Sequence, residues 1–114
     1  MPYFHMSCNV ELNEEQKKAM KSAFGRAVED IPGKSERWLM VEFTDARNSL
    51  FFSGKDDPCA MVDVSVYGSI PADAFAPLTR DITSAITSNS TIPSDRIYVK
   101  YSTTPHWGMG GENF

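Results

Sequence analysis

The most constraining feature of this sequence is that it repeats itself. A strand, helix, strand pattern occurs twice, and the offset that carries Pro2 onto Met61 also carries Arg37 onto Arg96. Ser35-Glu36-Arg37-Trp38-Leu39-Met40-Val41 in the first half stands beside Ser94-Asp95-Arg96-Ile97-Tyr98-Val99 in the second. An Ile-Pro pair precedes each, at Ile31-Pro32 and Ile92-Pro93. A β-α-β unit joins parallel strands through a crossover helix, so two such units in 114 residues leave few architectures. The expectation is a single α+β domain over residues 1–114, with the internal repeat at about 2–44 and 60–101. Its four-stranded mixed sheet carries two helices on one face.

Periodicity places the elements. Tyr3, Phe4, Met6, Cys8 and Val10 make Pro2 to Val10 a mostly apolar strand. Asn13 and Gln16 have the spacing of a capping box. Ala19, Met20, Ala23, Phe24, Ala27, Val28 and Ile31 then recur at helical intervals until Pro32-Gly33 stops the run. Trp38 to Phe43 reads as the second strand, followed by a polar turn around Asp45 to Asn48, a short strand at Leu50-Phe51-Phe52 and a loop from Ser53 to Pro58. Ala60 to Tyr67 is the next long strand, with Val62, Val64 and Val66 facing one way and Asp63 and Ser65 the other. A second helix runs from about Asp73 to Asn89, with Pro77 confined to its first turn, and Arg96 to Tyr101 is the last long strand. The glycine-rich tail from His106 to Phe114 carries Trp107 and Phe114, which predicts that it docks rather than hangs free. Valines and aromatics read as lying on both sides of the strands. The sheet face without helices is therefore expected to pack against copies of itself in a closed symmetric oligomer, a trimer.

Composition removes several function classes. A net charge of −4 argues against a nucleic-acid partner, and no central strand carries the Lys/Arg-Gly-aromatic run of an RNA-binding sheet. No apolar run is long enough to cross a membrane, and the polar residues soon after Met6 do not fit a signal peptide. A cytoplasmic protein with no membrane insertion is expected. Cys8 and Cys59 do not make a disulfide framework, and His5 and His106 show no metal-ligand spacing with them, so no metal is expected.

The N-terminus offers a candidate for chemistry, the alternative being a proline that merely opens an edge of the sheet. Pro2 follows Met1 directly, and a small penultimate residue normally allows the initiator methionine to be removed. The chain then opens on a secondary amine, held by its ring at the mouth of a buried strand. Its unperturbed pKa is near 8, and burial or a nearby cation lowers it toward neutrality, where a general base works best. Lys34 lies in the loop after the helix stop, which the duplication puts near the same end of the sheet. An ammonium there would pair with a substrate carboxylate and disfavour protonation of Pro2.

Five features stand in register over essentially the whole chain: Met1-Pro2 opening a strand, Gly33-Lys34 before the second strand, Asp57-Pro58-Cys59-Ala60, Ser94-Asp95-Arg96-Ile97-Tyr98, and a tryptophan-containing tail ending in Asn113-Phe114. In these the sequence resembles the macrophage migration inhibitory factor family of the tautomerase superfamily. The resemblance implies a homotrimer with three sites between subunits. It also implies cofactor-independent keto–enol tautomerase activity on phenylpyruvate-like aromatic α-keto acids, with Pro2 as the general base. Tyr67, where the family usually has an aliphatic residue, would offer its backbone N–H to the substrate, and Tyr98 would reach into the pocket of an adjacent subunit. Lys100 stands where better-known members carry asparagine, and reads either as a second cation for the carboxylate or as a solvated edge lysine. Trp107 and Phe114 suit an apolar pocket wall or an anchor for the tail. Only one thiol stands where some members carry a Cys-x-x-Cys pair, so a dithiol redox role lacks its second sulfur. The alternative that the family implies is a cytokine-like signalling protein binding a host cell-surface receptor. In that reading tautomerase activity is vestigial or secondary, and release uses no signal peptide.

Overall fold

The computed structural model describes residues 1–46 and 49–114. Its first half is β1 (Pro2–Cys8), α1 (Glu14–Ala27) and β2 (Met40–Thr44), and its second half β3 (Ala60–Tyr67), α2 (Phe75–Asn89) and β4 (Ile97–Thr104). The strands lie in the order β2-β1-β3-β4. β2 runs parallel to β1 and β4 parallel to β3, while β1 and β3 meet antiparallel in the centre, with Pro2 opposite Val66 and Cys8 opposite Ala60. The sheet is therefore mixed, and both helices pack on one face of it around Phe4, Met6, Val62, Val64, Phe24 and Ile82.

Local chemistry sets the boundaries. The Asn13 side chain accepts from Gln16 N at 2.8 Å, and Gln16 Oε1 accepts from Asn13 N at 2.8 Å, so the start of α1 is capped in both directions. α1 tightens into a 3-10 turn at Val28–Asp30, and Gly33, at φ +81°, lets the chain reverse after it. A 3-10 turn also precedes the outer strand of each half, at Glu36–Trp38 and Ser94–Arg96. Trp38 and Arg96, expected in strands, lie in these turns, and β2 begins only at Met40.

β1 stops at Cys8, short of Val10, because Asn9 turns aside to tie down the following loop. Its Nδ2 donates to the carbonyls of Leu50, Asp56 and Asp57 at 3.1, 3.0 and 3.0 Å, and its Oδ1 accepts from Cys59 N at 2.9 Å. Arg96 holds the same loop from the other side. Its Nε donates to the Pro58 carbonyl at 3.0 Å, its Nη2 to the Lys55 and Asp57 carbonyls at 3.2 and 3.1 Å, and its guanidinium lies over the Phe52 ring. Truncating Arg96→Ala strands these carbonyls and is expected to cost about 2 kcal/mol, the scale of hydrogen bonds to a charged group. Urea denaturation reads the cost, and an unchanged midpoint would show that the loop holds itself.

The strand expected at Leu50-Phe51-Phe52 does not form. Phe52 makes only an isolated bridge to Lys55, across Ser53 and Gly54 at φ +57° and +73°, the paired left-handed residues of a tight hairpin turn. No described strand of the chain pairs with Leu50 or Phe51, and Phe51 is left 65% exposed. Of the polar turn expected at Asp45 to Asn48, Arg47 and Asn48 lie outside the described residues.

The face without helices also differs from expectation. Val62, Val64 and Val66 are all buried beneath the helices, and Val41 and Val99 pack against the same core. Alternation of the strands then gives the other face Tyr3, His5 and Ser7, Met61, Asp63 and Ser65, with Glu42 and Lys100 on the outer strands. It is a largely polar surface. One level across it reads Glu42, His5, Asp63, Lys100, one residue from each strand in sheet order, with Lys100 Nζ 3.2 Å from Asp63 Oδ2. The tail docks, as its aromatics predict. It folds into a hairpin of β5 (Gly108–Met109) and β6 (Glu112–Asn113), and the Phe114 ring packs on that of Tyr67 with centroids 5.6 Å apart.

Two acids meet where α1 ends against α2. Hydrogen bonding to Asp81, then burial and the Asp81 charge, push the Asp30 carboxyl up to about 6, while the same hydrogen bond holds Asp81 below its ordinary value. Asp30 Oδ2 is shielded from solvent with no donor facing it. A raised carboxyl favours the fold when protonated, so this contribution is full below pH 3.8 and is lost as pH rises through about 6. Asp30→Asn supplies a permanent donor to Asp81. It is expected to stabilise the protein at pH 7.5 by about 1 kcal/mol, the full shift being discounted for solvent screening, and to lose that advantage at pH 4. Thermal melts at the two pH values test this, and an equal gain at both would show that the pair does not share a proton.

Candidate functional site

The central β1–β3 pairing brings the N-terminus to the far end of β3. Pro2 is buried opposite Val66, and one step beyond it the Tyr67 N–H donates to the Met1 carbonyl at 3.0 Å. The turn at Gly33 sends Lys34 over the same place. Its Nζ donates to the Tyr67 carbonyl at 2.8 Å and stands 5.8 Å from the centre of the Tyr67 ring. The Met1 ammonium lies close enough to respond: burial, then the Lys34 charge, then a hydrogen bond with Lys34 hold it below its ordinary 8.0. Pro2, Lys34 and Tyr67 thus arrive from three separate elements at one point.

A cleft of about 500 Å³ opens beside them, lined by Pro2, Tyr3, Trp38, Glu42, Trp107 and Met109. Trp107 comes from the tail, which Phe114 N closes with a 3.0 Å bond to the Trp107 carbonyl. The Tyr3 hydroxyl donates to Glu42 Oε1, and this bond, burial and the charges of Glu42 and Asp63 raise the phenol above its ordinary range. Trp38 and Glu42 were not singled out in the sequence. For Glu42 the alternation of β2 carries the signal, since it puts Met40 and Glu42 on the same face as Tyr3, whereas Trp38 reaches the cleft from the turn before β2.

Tyr98 and Lys100 are not brought to Pro2 within the chain. Tyr98 pairs with Met61 and packs on Phe52, ring centroids 4.7 Å apart, in a second cleft of about 240 Å³ that also holds Leu50, Cys59 and Met61. The stretch of β3 from Met61 to Val66 separates it from Pro2, roughly 16 Å at strand spacing. Lys100 lies midway, engaged with Asp63 on the polar face. A single chain therefore brings the Met1 amine, the Lys34 ammonium and the Tyr67 N–H, which the Met1 carbonyl occupies, together at one end of the sheet. An exposed phenol lies at the other.

The family model for macrophage migration inhibitory factor matches residues 1–113. Among curated proteins no match is found. The crystal structure of Leishmania major MIF2 superposes with a TM-score of 0.93 at 32% identity, covering 100% of this chain and 97% of that one. Macrophage migration inhibitory factor of Toxoplasma gondii does so with a TM-score of 0.85 at 25% identity, covering 98% of this chain and 99% of that one. Pt0534 inactivated by 2-oxo-3-pentynoate shares the fold, with a TM-score of 0.84 at 20% identity and coverage of 97% and 95%.

Proposed function

The chain belongs to the macrophage migration inhibitory factor family, and on that premise we propose that it is a cofactor-independent keto–enol tautomerase of phenylpyruvate-like aromatic α-keto acids. The observation that carries this reading is the meeting of Pro2, Lys34 and Tyr67 at one end of the sheet. Lys34 and the Tyr67 N–H bind the carboxylate, and the indoles of Trp107 and Trp38 wall the aryl group. The Pro2 nitrogen, free once Met1 is gone, takes a proton from the carbon next to the ketone. Charge moves onto the ketone oxygen, and the proton returns there to give the enol. Atoms and charge balance without a cofactor. That Pt0534, of the same fold, is inactivated by a 2-oxo acid agrees with this substrate class.

The test is phenylpyruvate tautomerisation by protein whose loss of Met1 is verified by intact mass. Turnover is expected to rise with pH as the Pro2 amine loses its proton. Processed protein without this activity overturns the reading.

The reading includes a homotrimer, because Tyr98 lies too far from Pro2 to complete its own site and can do so only from a neighbouring copy. Native mass spectrometry should find three times the 12.7 kDa chain, and a stable monomer at micromolar concentration would sink the idea. A receptor-binding role draws on family membership alone. Receptor binding by protein with Pro2 disabled would separate it from catalysis. Among the described residues no helix is long and apolar enough to cross a membrane.

A further inference from the structure

We propose that the residue in front of Pro2 is a plug, whose main-chain carbonyl fills the donor that a carboxylate ligand needs, so that removing Met1 uncovers an anion site in the same cut that creates the amine. The inference rests on the reading of Pro2, Lys34 and Tyr67 as one site. It adds a control on binding that is separate from the chemistry of the base.

The argument starts from the last rung of the central ladder. Tyr67 N–H reaches the Met1 carbonyl at 3.0 Å, whereas the next amide, Gly68, donates to the Thr104 carbonyl at 2.9 Å and so belongs to the β3–β4 side. Cutting between Met1 and Pro2 removes one acceptor and leaves Tyr67 N–H without its rung, facing the new terminus. A main-chain donor in a partly buried place does not stay idle, and takes whatever acceptor comes. Beside it stands Lys34, which spends one of its three N–H groups on the Tyr67 carbonyl, and whose hydrogen bond with the Met1 amine leaves with that residue. A neutral donor and an ammonium on one edge suit the two oxygens of a carboxylate, which gains a charge-assisted bond from Lys34.

The site is also held in place before any ligand arrives. The Tyr67 ring lies between the Lys34 ammonium, 5.8 Å from its centre, and the Phe114 ring at 5.6 Å, so both neighbours fix the residue whose amide is exposed. Any residue retained before Pro2 places its carbonyl on that amide, whatever its side chain. The Met1 ammonium does not replace the lost donor, because the carbonyl between them still occupies the N–H.

Three proteins test this: the chain retaining Met1, the chain beginning at Pro2, and a processed Pro2→Ala variant, which keeps the cut but not the proline. The probe is 3-phenylpropanoate, an aryl carboxylate with no ketone to tautomerise. Both processed proteins are expected to bind it at least about tenfold more tightly than the Met1 form, as loss of a bond to a charged acceptor requires. The Tyr67 amide resonance should shift with probe only in the processed proteins. Its hydrogen exchange should be slow in the Met1 form and fast after processing, which decides the matter even if the probe binds weakly to all three. Equal affinity, or equal Tyr67 exchange in Met1-bearing and processed protein, overturns the plug. Tight binding by processed protein that never tautomerises phenylpyruvate would keep the plug and refute the tautomerase. Turnover confined to processed protein, with equal probe binding throughout, would do the reverse.

Discussion

Pro2→Gly, in protein fully cleared of Met1, is expected to lower kcat for phenylpyruvate about 100-fold with little change in KM. General base catalysis contributes about 10²–10⁴-fold, and glycine sits at the lower end because it still supplies an amine. What it lacks is the ring that fixes the nitrogen at the end of β1, opposite Val66, so the lone pair spends less time aimed at the substrate carbon. Lys34 and the Tyr67 amide remain, and with them carboxylate binding. A chain that still carries Met1 is affected more severely. Its Pro2 nitrogen is a tertiary amide whose lone pair is delocalised, so it cannot carry the proton, although the ladder and the fold do not need it free. Steady-state rates on samples of measured processed fraction decide this, and equal kcat for Pro2→Gly and the parent would remove Pro2 from the reaction.

Lys34→Ala is expected to act on KM instead. Losing a hydrogen bond between ions costs about 1.5–3 kcal/mol, which is roughly tenfold to over a hundredfold in affinity. A second effect accompanies it. A cation near an amine disfavours its protonation, so without the lysine the pH–rate profile should move to higher pH. The Tyr67 carbonyl also loses its donor, and Lys34→Arg, which keeps the charge, controls for that. An unchanged KM in Lys34→Ala would take carboxylate binding away from this residue.

Much of the fold was legible because local signals and the core pattern agreed. The Asn13–Gln16 box, the stop at Pro32-Gly33 and the alternating valines of β3 each report short-range chemistry, and each appears at its expected place. What was not legible depended on partners far along the chain. Leu50-Phe51-Phe52 looks like a strand by composition, but a strand needs a neighbour, and Asn9 and Arg96 bind the backbone of that segment and its loop in another form. The polarity of the face without helices is hidden in the sequence because aromatic rings count as apolar, whereas Tyr3 and His5 hydrogen-bond to Glu42 and Thr44 across it. At the site, Pro2 and Lys34 could be placed near each other from the duplication alone. The Tyr67–Met1 rung could not, since antiparallel register is set only when β1 and β3 meet.

The row of Glu42, His5, Asp63 and Lys100 also bears on how the newly made chain survives before it meets another. Each member finds its counter-charge or hydrogen-bonding neighbour sideways along the sheet, so the surface asks nothing of a facing molecule and stays wetted. Attraction between copies is left to a few rim groups, Trp38, Met40, Phe51 and Tyr98, which are 45–67% exposed. Dilution below the range that holds the proposed trimer together should therefore return folded chains rather than precipitate.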